Sequence, residues 1–143
     1  MCCMRIPKKI TAFIRTCRVA HLATADAGGQ PLVIPICFVF DGKEFFSAID
    51  EKPKRLSPQR LKRLRNIEEN SKVSLVIDRY DEDWQKLAYI LVSGQARILL
   101  TGQKHRRAVS LLRRKYRQYH SMAIDQRPMI VIKLLGVKAW GSL

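Results

Sequence analysis

Tight-turn signals between short apolar segments constrain the fold of this chain more than any other sequence feature. Asp26-Ala-Gly-Gly29 stands between two such segments, and Asp41-Gly42 follows the second. Paired glycines and Asp-Gly are favoured in short hairpin turns, because glycine accepts the positive φ angles that these turns need. The chain is therefore predicted to be mainly antiparallel β-sheet with hairpin-linked strands.

Hydrophobic periodicity predicts the individual elements. The predicted helices are Lys8–Thr16, a helix that begins at Ser57-Pro58, and Lys104–Tyr119; the predicted strands are Val19–Thr24, Pro31–Phe40, Glu44–Ile49, Val73–Ile77, Leu87–Leu99, Met129–Leu134 and Val137–Trp140. We expect a kink at Gly94 and a final hairpin near Gly136. Strands joined by hairpins, with helices attached, favour an antiparallel barrel over a βαβ fold.

The second predicted strand carries two signals of its own. Residues 31–40 are uncharged, which predicts burial on both faces. Pro35 cannot donate a ladder hydrogen bond, so we expect this strand to be irregular or to lie at a sheet edge.

Length and apolar content bound the class of protein. The chain has 143 residues, 47% of them hydrophobic, which fits a single domain spanning residues 1–143. No apolar run approaches the roughly 20 residues that cross a bilayer, and the N-terminus lacks the apolar core of a signal peptide. We therefore expect a cytoplasmic protein that does not associate with a membrane. The four cysteines have no metal-ligand spacing, so no metal site is expected.

Charge predicts an anionic partner. There are 27 basic and 12 acidic residues, a net charge of +15, and 14 of the basic residues lie within 52–65 and 104–117. Nucleic acid, a phosphorylated cofactor and an acidic small molecule all fit this charge. Nucleic acid is disfavoured, because the basic helices lack interleaved aromatic residues that would stack on bases.

Familiar catalytic motifs are absent. The sequence has no GxSxG, HExxH, GxxxxGK[ST] or GxGxxG motif. His21 lies in a predicted strand and is expected to be a structural histidine. His105 and His120 flank a solvated helix and are expected at the surface.

An ordered set of segments resembles one known family. Residues 60–77 (RLKRLRNIEENSKVSLVI) combine a basic helix, an Asn-Ile pair, an Asn-bearing turn and a Val-Ser-Leu strand. Four further segments match in order: Val19-Ala-His-Leu-Ala-Thr24, Pro35-Ile-Cys-Phe-Val-Phe-Asp-Gly42, Phe45-Phe-Ser-Ala48 and Leu91-Val-Ser-Gly94. On these segments, residues 10–140 resemble the pyridoxamine 5'-phosphate oxidase superfamily. The resemblance implies a six-stranded antiparallel Greek-key split barrel of the FMN-binding type, and a homodimer with the cofactor at the subunit interface.

The resemblance also implies which residues hold the cofactor. Lys62 and Arg63 would bind its phosphate, with Ser47 as a hydroxyl donor. Because Arg63 stands where the family commonly has Lys, the match within residues 62–65 could slip by one residue, or Arg60 and Arg65 could share that role. The implied cofactor-binding residues are Ile34, Pro35, Ile36, Cys37, Phe46, Ser47, Arg60, Lys62, Arg63, Tyr89 and Trp140. In the family, backbone amides of the second strand contact the ring, and a Gln at the Tyr89 position reaches it from the partner subunit; Trp140 would stack near the ring or lie in the dimer core.

The identity of the cofactor stays open between FMN and the deazaflavin coenzyme F-420. Segments 47–54, 80–84 and 138–141 are similar to the deazaflavin-dependent subgroup. The implied function is an oxidoreductase that transfers two electrons to an unidentified small molecule. No catalytic residue is identified, and Tyr89 and His21 are the nearest acid-base candidates. The alternatives are a non-catalytic flavin or haem binding module and, on charge alone, a nucleic-acid-binding protein.

Overall fold

A computed structural model describes residues 5–50 and 61–143 of the chain. The helices and strands in these residues are α1 (Lys8–Thr16), β1 (Ala20–Ala25), β2 (Pro31–Ile36), β3 (Val39–Phe40), β4 (Glu44–Ala48), α2 (Lys62–Glu69), β5 (Lys72–Arg79), β6 (Ala88–Leu99), α3 (Gln103–Lys115) and β7 (Met129–Gly141), with short 3-10 turns at Trp84–Lys86, Arg117–Ser121 and Ile124–Gln126. The predicted helix start at Ser57-Pro58 lies outside the described residues. In the described part of the chain, no helix is both long and apolar enough to span a membrane.

The strands form one antiparallel sheet in the order β2-β1-β5-β6-β7-β4-β3. The sheet curls into a half-barrel, which confirms the predicted split-barrel class. The two long strands β6 and β7 lie near its centre and pair along their whole length. The two sheet edges are β2 and the two-residue strand β3.

The two predicted glycine turns are confirmed, and an aspartate organises each of them. The Asp26 carboxylate accepts two backbone N–H bonds of 2.9 Å within the β1–β2 turn. Asp41 accepts two of 2.9 and 2.8 Å in the β3–β4 turn. Gly29 and Gly42 have φ angles of 86° and 100°, which residues that carry a Cβ rarely adopt. Local sequence therefore determines where the chain reverses.

Two hydrophobic cores lie on opposite faces of the sheet. The main core is covered by α1 and α2, and Phe45 and Ile132 are fully buried in it. The second core lies under α3 and contains Phe46 and Val131. Neighbouring residues of β4 and of β7 thus enter different cores, so both strands are buried on both faces where they pair.

For residues 31–40, the predicted position at a sheet edge is confirmed, and the predicted burial on both faces is wrong. The segment divides into β2 and β3, and β2 lies at an edge, as Pro35 indicated. Val33 is 61% exposed, whereas Phe38 is fully buried. Residues 31–36 lie at the sheet edge and are partly exposed there. The chain turns into the core only after Ile36, so burial begins in the second half of the segment.

The predicted hairpin near Gly136 was wrong. Residues 129–141 form one continuous strand, both halves of which pair with β6. Ser93 pairs with Gly136 and Gly94 pairs with Leu134, so Leu135 is an extra residue on β7. This β-bulge lies on β7 opposite Ser93 and Gly94 of β6, and β7 continues past it without reversing.

The surface position predicted for His105 was also wrong. Its side chain is buried, and its Nε2 lies 2.7 Å from the carbonyl oxygen of Arg127. His105 shares the inward face of α3 with Ala108 and Leu112. The helix ends at Lys115, before the predicted Tyr119, and a 3-10 turn follows.

We predict that Gly94→Ala destabilises the fold. A Cβ at Gly94 would lie 2.5 Å from Ile132 Cγ2 and 3.0 Å from a backbone oxygen of β7. Overpacking of this kind lowers the free energy of unfolding by about 1–3 kcal/mol, measurable by urea denaturation. Gly136→Ala is the matched control, because its Cβ would meet nothing closer than 3.9 Å. Equal effects of the two substitutions would contradict this account of the bulge.

Candidate cofactor site

A cavity of about 260 Å³ opens where the end of β2 meets β4 and α2. Its lining residues are Val19, Pro35, Ile36, Cys37, Ser47, Ala48, Asp50 and Arg63. Five of these residues, Pro35, Ile36, Cys37, Ser47 and Arg63, belong to the set implied by the sequence. We call this space the cofactor cavity.

The wall of the cofactor cavity is fixed by side-chain hydrogen bonds to the chain between β2 and β3. Ser47 Oγ donates to the Cys37 carbonyl at 2.8 Å. On the next residue, the Phe38 N–H donates to the Tyr116 hydroxyl oxygen at 3.0 Å. The Tyr116 hydroxyl lies 2.8 Å from the Arg18 carbonyl oxygen and 3.0 Å from that of Phe38. The chain leaving β2 is therefore held from two directions.

Burial and hydrogen bonds at Tyr116 also affect its titration. Burial, the largest cause, raises the pKa of Tyr116 to about 12, although the bond to the Phe38 carbonyl lowers it. The phenol is thus neutral at physiological pH, and it keeps the proton that this bridge requires.

Arg63 is placed at the cavity by the packing of α2. Leu64 and Ile67 on this helix are buried in the main core. Asn66, also fully buried, donates from Nδ2 to Thr24 Oγ1 at 3.0 Å and thereby ties α2 to β1. Because these contacts lie within about one helical turn of Arg63, they fix the part of α2 that places this residue in the cavity lining.

A carboxylate that the sequence did not predict completes the lining. Asp50 Oδ2 accepts a hydrogen bond from the Tyr119 hydroxyl at 2.8 Å. Burial, followed by this bond to Asp50, raises the pKa of Tyr119 well above its ordinary range. The third predicted helix ended at Tyr119, and a buried tyrosine needs a partner for its hydroxyl. That requirement was the one available signal, and it does not name Asp50.

Three other implied residues lie away from the cavity lining. Lys62 is 45% exposed and forms an ion pair with Asp26 at 3.5 Å. Ile34 is half-buried on β2 against the main core, and the side chain of Phe46 is fully buried under α3. A cofactor contact from Phe46 would therefore have to come from its backbone.

Tyr89 and Trp140 form a pair of their own on the sheet. Their rings stack with centroids 5.6 Å apart, and the residues are 42% and 52% exposed. His21 is exposed on β1 and lines a different surface pocket. Arg60 lies outside the described residues. Within the described ranges, no group of three His, Cys, Asp or Glu residues is placed to hold a metal ion.

The sequence from residue 6 to residue 141 matches the model of a family described as Pyridoxamine 5'-phosphate oxidase. The chain belongs to this family. Its fold is a flavin-binding one. Among curated proteins, no match to the sequence was found.

Solved structures agree with this fold. The pyridoxamine 5'-phosphate oxidase-like chain is similar to HutZ, the heme storage protein from Vibrio cholerae, with a TM-score of 0.67, 17% identity, and coverage of 94% of each chain. It is similar to an F420 reductase with a TM-score of 0.66 and 18% identity, over 93% of this chain and 98% of that one. A FAD-binding protein from Mesorhizobium loti has a TM-score of 0.69 and 19% identity, over 94% and 93% of the two chains. At these identities the likeness shows the fold alone.

We predict that Thr24→Val destabilises this family member by stranding the Asn66 amide. Threonine and valine have nearly the same shape, but valine accepts no hydrogen bond. The buried Asn66 amide therefore loses its acceptor. The expected loss is about 1–3 kcal/mol in the free energy of unfolding. Thr16→Val is the matched control: its hydroxyl donates to the Phe13 carbonyl at the exposed end of α1, so its loss should stay near 0.5 kcal/mol, a roughly surface-level effect. If Thr24→Val were as stable as the control, the Asn66 bond would not anchor α2.

Proposed function

We propose that this chain binds the phosphate-bearing end of FMN or of a deazaflavin in the cofactor cavity, as an oxidoreductase that transfers two electrons to a small molecule. The observation that carries the proposal is the meeting of Arg63 with residues 35–37 in one cavity. A phosphorylated flavin needs a cation at one end and backbone hydrogen-bonding groups along its ring. Arginine offers a rigid fork of donors for phosphate.

The edge position of β2 supports the ring contact. Among the described strands, β2 pairs with β1 alone. Alternate residues of an edge strand direct their backbone N–H and C=O groups away from the sheet. The Cys37 carbonyl already accepts the Ser47 hydroxyl and Pro35 has no N–H, so we expect the ring to contact the Ile36 backbone, the Cys37 N–H and the Pro35 carbonyl.

We propose a role for Ser47 other than the hydroxyl donor that the family resemblance implies. Its hydroxyl proton is directed at the Cys37 carbonyl, 2.8 Å away. We therefore assign Ser47 to holding the cavity wall, and Arg63 to binding the phosphate. Asp50 carries negative charge in the same lining, so the phosphate is expected to lie toward Arg63 and away from Asp50.

The volume of the cavity supports a homodimer. Small-molecule sites usually enclose about 300–1,000 Å³, and this chain alone provides about 260 Å³. A second copy would complete the enclosure. The exposed Tyr89–Trp140 pair is our candidate for the surface that this copy covers or contributes, because stacked aromatic side chains are enriched in interfaces.

Redox chemistry would come from the cofactor, whose ring accepts and donates hydride when it is bound. The residues of this chain orient the ring along the end of β2, bind its phosphate and exclude water through Pro35, Ile36 and Ala48. The lining holds no histidine or lysine among the described residues, and its carboxylate, Asp50, already accepts a hydrogen bond from the Tyr119 hydroxyl. We therefore expect electron transfer without a protein acid or base at the ring.

We predict that Arg63→Met weakens FMN and deazaflavin binding about 10–100-fold, the loss expected for one charge-assisted contact to phosphate. Fluorescence titration of each cofactor measures the dissociation constant. Arg114→Met is the matched control. Arg114 is exposed on α3, and its substitution removes the same charge from the chain. Equal weakening by both substitutions would show that net charge, rather than a phosphate contact at Arg63, governs binding.

A second candidate function is a binding module without turnover. The absence of histidine and lysine among the described lining residues favours it, and a structurally similar protein is named for heme storage. We predict that the cofactor-loaded protein is reduced by NAD(P)H, or by a reduced deazaflavin system, and reoxidised by a small acceptor over many cycles. Visible absorbance follows both steps. Tight haem binding with no cofactor reduction would instead establish the binding module.

A further inference from the structure

A second cavity, of about 350 Å³, lies on the other side of the chain that follows β2. It is lined by Arg15 of α1, by Val39, Phe40 and Asp41 around β3, and by Arg107, Leu111 and Lys115 of α3. Among described residues it shares none with the cofactor cavity. We call it the α1–α3 cavity.

The charges around this cavity do not cancel. Three cationic side chains, Arg15, Arg107 and Lys115, face one carboxylate. Arg107 lies 3.4 Å from Asp41 Oδ2, and the Asp41 side chain is 11% exposed. Arg15 donates weakly, at 3.5 Å, to the Phe40 carbonyl. With Asp41 counted against one cation, the lining keeps a charge of two positive units.

Lys115 is the most constrained of the three cations. Its Nζ donates to the Phe38 carbonyl at 3.0 Å and lies 3.9 Å from the centroid of the Phe38 ring. Within residues 5–50 and 61–143, no carboxylate lies within ion-pair distance of it. An ammonium group has three donors, and one carbonyl leaves it able to bind an anion from the cavity.

The rest of the lining is apolar. Val39 and Phe40 are nearly buried, and Leu111 is half-buried beside them. Apolar walls with a few converging charged groups are typical of small-molecule sites, and the cavity volume lies in their usual range. A ligand that matches this lining has a doubly charged head and a short apolar body.

We propose that the α1–α3 cavity binds a small phosphate monoester with an apolar substituent, at a site separate from the cofactor cavity. The phosphate dianion balances the net charge of the lining. Its principal partners are Lys115 and Arg107, whose guanidinium keeps N–H donors beyond the one that faces Asp41. The substituent lies against Val39 and Leu111. This site does not depend on the function proposed for the cofactor cavity.

The titration of Lys115 gives the site a pH signature. Burial, with a smaller contribution from Arg18, lowers the pKa of Lys115 to about 8. Binding a dianion favours the ammonium form, so affinity should be level between about pH 7, above the second pKa of a phosphate monoester, and pH 8, and should fall by up to about tenfold per unit above that. The charged and titratable groups that face Lys115 or line its cavity are Arg15, Cys17, Arg18, Cys37, Asp41, Arg107 and Tyr116.

The test is isothermal titration calorimetry of the full chain with phenyl phosphate, compared with phenol, benzoate and inorganic phosphate. We expect phenyl phosphate to bind most tightly, because the other three probes lack either the second charge or the apolar body. Lys115→Met and Arg107→Met should each weaken it at least tenfold, and Lys115→Met should also abolish the loss of affinity above pH 8. Arg107 is 58% exposed, so its substitution leaves the folded structure intact.

Asp41→Asn provides a gain of affinity that no folding defect can imitate. The amide oxygen keeps the two turn hydrogen bonds, while the removed carboxylate no longer repels the ligand, so phenyl phosphate should bind several-fold more tightly. Arg114→Met is the control for net charge and should leave binding unchanged. Equal binding of phenol or benzoate would overturn the proposal. So would binding that is lost in Arg63→Met but kept in Lys115→Met and Arg107→Met, because the ligand would then lie in the cofactor cavity.

Discussion

The burial of β7 on both faces is the constraint on which the rest of the structure depends. From Met129 to Ile132 every side chain is fully buried, alternately under α3 and in the main core. Every residue in such a stretch must be apolar, and the strand must pair on both edges. β6 and β4 provide those two edges. Since β4 carries Ser47 and α3 carries Lys115, both cavities are positioned by this one strand.

Local signals in the sequence were sufficient for the turns and most of the elements. Asp26 and Asp41 form their hydrogen bonds within a few residues, so the pattern around them determines the outcome. Non-local contacts could not be read in the same way. His105 is buried because a carbonyl 22 residues away lies beside its ring. Gly136 resembled a turn because nothing in the sequence indicates that both flanking segments pair with the same strand.

The candidate site divides along the same line. Arg63, Ser47 and the end of β2 could be grouped from the sequence by a family resemblance, and they line one cavity. Asp50 and Tyr119 could not, because their hydrogen bond joins residues 69 positions apart. The charge excess was visible from composition, but its pairing was not. Glu44 binds both Arg97 and Lys104, at 3.0 and 2.6 Å, so part of the positive charge on α3 and β6 fastens the barrel instead of facing a ligand.

The extra residue at Leu135 changes the phase of β7. Before it, even-numbered residues such as Ile132 and Leu134 enter the main core; after it, the odd-numbered Val137 does so, while Leu135 itself is 51% exposed. The core-facing residues thus change from even-numbered to odd-numbered positions within one continuous strand. Deleting Leu135 would keep Gly136 opposite Ser93 and Val137 opposite Val92, so the alternation would become regular and Val137 would still face the core. The bulge therefore lets β7 hold one residue more than β6 does, without changing which side chains of its two halves are buried.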